Sequence, residues 1–143
     1  MKLTDITSPA SLRGLNETEM RALAEEIRDA IIRTVAQNGG HLSSNLGVVE
    51  LTLALHRAFA CPRDKILFDV GHQCYAHKIV TGRYKDFHTL RHLDGLSGCP
   101  RREESPFDAF GAGHASTAIS AALRFQPGQH SIRSSNKQGY IQS

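Results

Sequence analysis

No stretch of the 143 residues approaches the ~18 consecutive apolar side chains of a membrane span. The opening MKLTDITSPASLRGL holds no apolar core of signal-peptide length. A membrane-bound or exported protein is therefore not expected. Cysteine is scarce: Cys61, Cys74 and Cys99 form an odd set without close spacing. That fits reduced thiols in the cytoplasm rather than a disulfide framework. Excess charge of one sign is also missing. Residues 1–125 hold 15 of the 17 Lys/Arg and all 14 Asp/Glu, a balance of +1. A body so near neutral offers little to a phosphate backbone, so nucleic acid is not an expected partner. The GxxxxGK[ST] loop, the GxGxxG spacing and the GxSxG elbow are absent, which removes the P-loop, dinucleotide-binding and serine-hydrolase readings. What remains is an ordinary soluble composition, 40% hydrophobic and 22% charged, long enough for one domain.

Asn16 has Glu19 three residues on, the spacing of a capping box. Met20, Leu23, Ala24, Ile27, Ile31 and Val35 then recur at three- and four-residue steps, predicting an amphipathic helix that ends at Gly39-Gly40. A second helix is expected from about Leu46 to Phe59, apolar nearly all round and hence buried. Lys65–Val70 is a short apolar run that suits a buried strand, and a short helix is expected from Gln73 to Val80, closed near Gly82. Residues 94–113 are rich in glycine, proline and charge; ordered links of that length are usually functional. A last helix begins near Ser116. The remainder, 126–143, has no period and no acid, and reads as a disordered tail.

Glycine precedes histidine three times, at Gly40-His41, Gly71-His72 and Gly113-His114. Glycine lets backbone approach a ligand, and histidine moves protons near neutral pH. Each pairing alone is weak, but three at element junctions suggest a shared site. Gly71-His72 follows the expected strand, where ligands of open α/β sheets bind. FGAGHAST opens a helix whose N–H groups favour a phosphate. His72, Cys74 and His77 invite a metal reading, but no fourth ligand stands at the usual spacing, so no metal ligand is assigned. The blocks Arg101-Arg102 and Glu103-Glu104 read as a solvated loop with surface ion pairs, and Arg83 and Arg91 as surface residues.

Three blocks carry a more specific signal together: GGHLSSNLGVVELTLALHRAF (39–59), KILFDVGHQCYAHKIVTGR (65–83) and DGLSGCPRREESPFDAFGAGHASTAISAAL (94–123). In order and spacing, over about residues 10–124, they resemble the start of the 1-deoxy-D-xylulose-5-phosphate synthases. These are transferases of the transketolase-like thiamine-diphosphate family. The resemblance implies a homodimeric enzyme that condenses pyruvate with glyceraldehyde 3-phosphate, releases carbon dioxide and feeds isoprenoid, thiamine and pyridoxal synthesis. It implies that His72, Gly113, His114 and Ala115 contact thiamine diphosphate and that His41 assists proton transfer. In fold it implies an incomplete N-terminal cofactor-binding domain over 1–125. That domain is α/β, mostly helical with a short parallel-strand remnant, and is followed by a non-homologous tail. In the family a GDGA-type segment holding magnesium follows the last block. Nothing like it follows Leu123, and the later domain with the glutamate that activates the cofactor's aminopyrimidine has no counterpart. The expectation is an enzyme fragment inactive alone. Its alternatives are a non-catalytic binding module or one half of a split enzyme.

Overall fold

Asn16 begins the longest helix as its spacing requires. In the computed structural model, which describes residues 2–125, helix α1 runs Glu17–Asn38. The Asn16 side chain accepts from the Glu19 N–H at 3.0 Å, and the Glu19 carboxylate accepts from the Asn16 N–H at 2.8 Å. Such a cap is worth about 1 kcal/mol. The Gly39 N–H donates to the Val35 carbonyl and closes the other end. Leu23, Ala24, Ile27, Ala30 and Ile31 form the buried stripe, as the three- and four-residue steps predict.

The second expected helix is divided. One turn, α2, spans Ser43–Leu46, and α3 spans Val49–Ala58. Between them Val48 leaves helical geometry, beside a glycine of poor helix propensity. Nor is α3 buried all round. It turns Val49, Thr52, Leu53 and His56 inward and leaves Leu51 57% exposed. A polar pair, Thr52 and His56, thus occupies positions that hydropathy alone would give to leucine.

Helix α4, Tyr75–Lys78, continues through a widened turn, Ile79–Arg83, broken at Gly82, and then a 3-10 segment, Tyr84–Thr89. Tyr75, Ile79, Val80, Phe87 and Leu90 pack with Leu12, Ile27, Ile31 and Leu53 in one core. Each such aliphatic side chain contributes roughly 1.5–3 kcal/mol on burial. Helix α5 spans Ala118–Phe125.

No strand forms among the described residues. Residues 65–68 carry no regular secondary structure and the chain bends at Asp69; Phe68 sits edge-on to His77 at 5.0 Å between ring centroids, and no neighbouring described segment supplies a ladder. A strand exists only by pairing, so the expected strand remnant, and the α/β class that rested on it, are not seen here. The described part is mostly helical. The expected disordered tail, 126–143, lies outside the described residues.

The long loop is fastened by buried charge, which corrects the surface reading of its acids and of Arg83. Asp108 accepts from both terminal nitrogens of Arg83 at 2.8 Å and lies 2.9 Å from Nε2 of His77. His77 Nδ1 lies 2.8 Å from Nε2 of His56 on α3. Glu104 accepts from Lys78 Nζ at 2.5 Å, from Arg83 at 3.2 Å and from the Ser97 N–H at 2.6 Å. Lys78 is fully buried and Arg83 is 7% exposed. Arg101 and Glu103 do form the expected exposed pair, at 3.5 Å. Burial alone would raise the Asp108 carboxyl, but hydrogen bonds from His77 and Arg83 outweigh it and hold the group well below the usual carboxylate range. Burial, with repulsion from His77 and Arg83, pushes His56 down to about 3. His77 is also lowered, because its burial outweighs the bond to Asp108.

Candidate functional site

The first two glycine–histidine junctions meet. His41, between α1 and α2, stacks on His72, just before α4, with ring centroids 3.7 Å apart and planes 11° from parallel. At Gly40, φ is 136°, and a Cβ there would fall 2.7 Å from the Tyr75 hydroxyl oxygen. At Gly71, φ is 90°, and a Cβ would collide with Pro100 Cδ and press on Ala112. Only glycine tolerates these two turns, so each histidine stands where its neighbour's missing side chain lets another block close in.

The histidine backbones are tied together from behind. Asn45, fully buried, donates from Nδ2 to the His41 carbonyl at 2.5 Å and to the His72 carbonyl at 2.7 Å. Its Oδ1 accepts from the Tyr75 N–H at 2.9 Å. The Tyr75 hydroxyl in turn accepts from the His41 N–H at 3.4 Å. His41 is lowered from the ordinary histidine value by partial loss of water, then by the neighbouring His72 and by Arg91. It is therefore a neutral imidazole near pH 7, able to accept a proton at a free ring nitrogen.

The third junction is placed differently. Gly113, His114 and Ala115 are exposed in the segment leading to α5, with open space around Gly113. They are joined to the second block at two points, Ala112 against Gly71 and Asp69 against α5. The Asp69 carboxylate accepts from the N–H groups of Ser116, Thr117 and Ala118 at 3.1, 3.2 and 3.4 Å. Those bonds, chiefly from Ser116 and Ala118, hold its carboxyl below the ordinary value. The helix N-terminus that FGAGHAST offers to a phosphate is thus taken by a carboxylate of the same chain.

His72, Cys74 and His77 have separate partners. His72 stacks on His41, the Cys74 thiol points to the Gly98 carbonyl at 3.7 Å, and His77 lies in the buried chain with His56 and Asp108. Arg91 is exposed, as expected, and its guanidinium passes over Gly40. Asn45, Tyr75 and Asp69 organise the site without any mark in the sequence. Apart from the Asn45 bond to the His41 carbonyl four residues back, these partners lie 27 to 49 residues away, beyond any local pattern.

The family model for 1-deoxy-D-xylulose-5-phosphate synthase matches residues 3–139, and the chain belongs to that family. Among curated relatives, the 1-deoxy-D-xylulose-5-phosphate synthase of Treponema pallidum (strain Nichols) is 63% identical over 120 residues, 84% of this chain and 19% of the relative. Those of Carboxydothermus hydrogenoformans and Heliobacterium modesticaldum are 60% and 58% identical, covering 85% and 86% of this chain and 20% and 19% of theirs. The chain therefore spans about a fifth of the length of the curated relatives it matches.

Proposed function

We propose that this chain forms one wall of a thiamine-diphosphate site. Together with the further segments its relatives possess, it would serve the condensation of pyruvate with glyceraldehyde 3-phosphate with loss of carbon dioxide. The observation that carries this reading is the His41–His72 stack at two glycine turns. A pair of flat, partly exposed imidazoles beside open backbone fits the heteroaromatic part of such a cofactor. The α5 N-terminus does not fit its diphosphate, because Asp69 already holds those donors. The diphosphate and its magnesium would be held by groups outside residues 2–125. When bound, the cofactor supplies the carbanion chemistry. His41 takes up and returns a proton at a ring nitrogen, His72 backs it, and Gly113, His114 and Ala115 line the approach.

The 143-residue polypeptide on its own is accordingly inactive. Incubated with both substrates, thiamine diphosphate and magnesium, it should form no more deoxyxylulose phosphate than a protein-free control; turnover would overturn this part. The cofactor reading is tested by titrating thiamine diphosphate while following histidine ring signals by NMR. Shifts at His41 and His72 but not at His77 support it, and silence at all three defeats it.

Residues 65–69 are proposed to pair as a parallel strand once neighbouring strands are present, restoring an α/β layer. The apolar face of Ile119, Leu123 and Phe125, with Phe59 nearby, supports this, because the described residues leave it exposed. The same face supports a second reading, a non-catalytic module that docks on a full-length synthase. A monomer by light scattering, unchanged on adding such a synthase, would count against it. No helix among the described residues is long and apolar enough to cross a membrane, and a cytoplasmic homodimer is the assembly proposed for the whole protein.

A further inference from the structure

The two site rings touch face to face and exchange no hydrogen bond with each other, so something other than the rings must set their register. Stacked imidazoles repel once both carry a proton, so the rings by themselves do not hold the arrangement and the backbones must. The group that reaches both backbones is the Asn45 carboxamide. A carboxamide has two donor hydrogens and one acceptor oxygen. Here all three functions are engaged with the site: the two carbonyls of His41 and His72, and the N–H of Tyr75. Asparagine at such a place ordinarily caps a local turn. This one bonds the His41 carbonyl four residues back, also reaches across 27 positions to His72, and is completely buried. A buried carboxamide with every function satisfied is rigid, and losing it would leave two carbonyls unsatisfied at once.

We infer that Asn45 is the positioning residue of the His41–His72 pair, fixing the two glycine turns so that the imidazoles stay parallel. This rests on the reading of that pair as the cofactor-facing wall only for its consequence in catalysis; the clamp itself stands on geometry. The groups facing His41 are His72, Arg91 and the Tyr75 hydroxyl, and none of them bridges both histidine backbones.

The test uses the 143-residue chain, isotopically labelled. Through-hydrogen-bond scalar couplings should link Asn45 Nδ2 to the carbonyl carbons of both His41 and His72. In Asn45→Ala, the ring signals of His41 and His72 should lose their mutual ring-current shift. The His41 midpoint should rise toward the ordinary value of about 6.5, while His77 signals stay in place. Unchanged His41 and His72 signals in Asn45→Ala would overturn the inference. So would wild-type protein with no coupling to either carbonyl, a measurement that decides the matter even if the variant does not fold. Intact couplings with no response to thiamine diphosphate would defeat the functional reading and leave the clamp standing.

Discussion

The chain contains two histidine pairs that differ in almost every physical respect. His56 and His77 meet edge to edge through a 2.8 Å contact, buried, with Asp108 and Arg83 completing the row. His41 and His72 meet face to face at 3.7 Å, partly open to water, with no bond between the rings. In the first pair the rings are the fasteners, tying α3, α4 and the 94–113 loop together. In the second the backbone is the fastener, and the ring nitrogens have no partner among the described residues. His77 spends both ring nitrogens, on His56 and Asp108, and His56 spends Nε2 while its buried Nδ1 has no partner; the His41 and His72 rings bond to nothing among the described residues.

The largest effect should come from breaking the buried row. Asp108→Ala would take the carboxylate from His77 and leave the buried Arg83 with Glu104 as its remaining carboxylate, and the free energy of unfolding in urea should fall by about 3 kcal/mol. Acid should attack the same row next. His56 and His77 are both held below the ordinary histidine value in the folded chain. Below about pH 6.5 the unfolded chain therefore binds protons that the folded chain refuses, and stability falls as pH falls. The slope should approach about 1.4 kcal/mol per pH unit from His56, with His77 adding in the same direction. Asp108 acts in the same direction at lower pH. Its folded carboxyl is depressed, so its stabilisation is present above its unfolded value, about 3.9, and is lost as pH drops through the folded one. Urea midpoints between about pH 7.5 and 5 measure the slope, and His56→Gln should flatten it. An unchanged slope would mean that the row is not the acid-sensitive element.

The open pair should behave in the opposite way. His41→Ala or His72→Ala should alter stability by no more than about 0.5 kcal/mol, since neither ring nitrogen supports the fold. Either change should nevertheless abolish the NMR response to thiamine diphosphate. A large loss of stability would erase the distinction between the pairs. The smallest effect is local: Asp69→Ala should leave the core intact and speed amide exchange at Ser116, Thr117 and Ala118. Unchanged exchange there would show that α5 does not depend on this carboxylate.

Helix α1 was readable down to its cap, because its signals lie within four residues of one another. The two-part second helix was only half readable: its apolar content was visible, but the break at Gly47-Val48 was not. Lys65–Val70 has the composition of a strand without the partner that makes one. Arg83 and Glu104 read as surface residues because charged side chains usually are, and nothing local shows that they face each other across 21 positions. His41 and His72 were marked by the glycines before them, whereas Asn45 carried no such mark.

The amino-acid sequence by itself determined the capped first helix, the three glycine–histidine junctions and the family to which their order belongs. These features depend on local backbone chemistry and on motif spacing, both of which are written along the chain. Tertiary structure alone decided which junctions meet, that Asn45 bridges them, and that Asp69 fills the α5 N-terminus. It also decided that His56, His77, Arg83 and Asp108 form one buried row. Such contacts depend on distance through space, and a hydrogen bond between groups tens of residues apart leaves no trace in the periodicity of either.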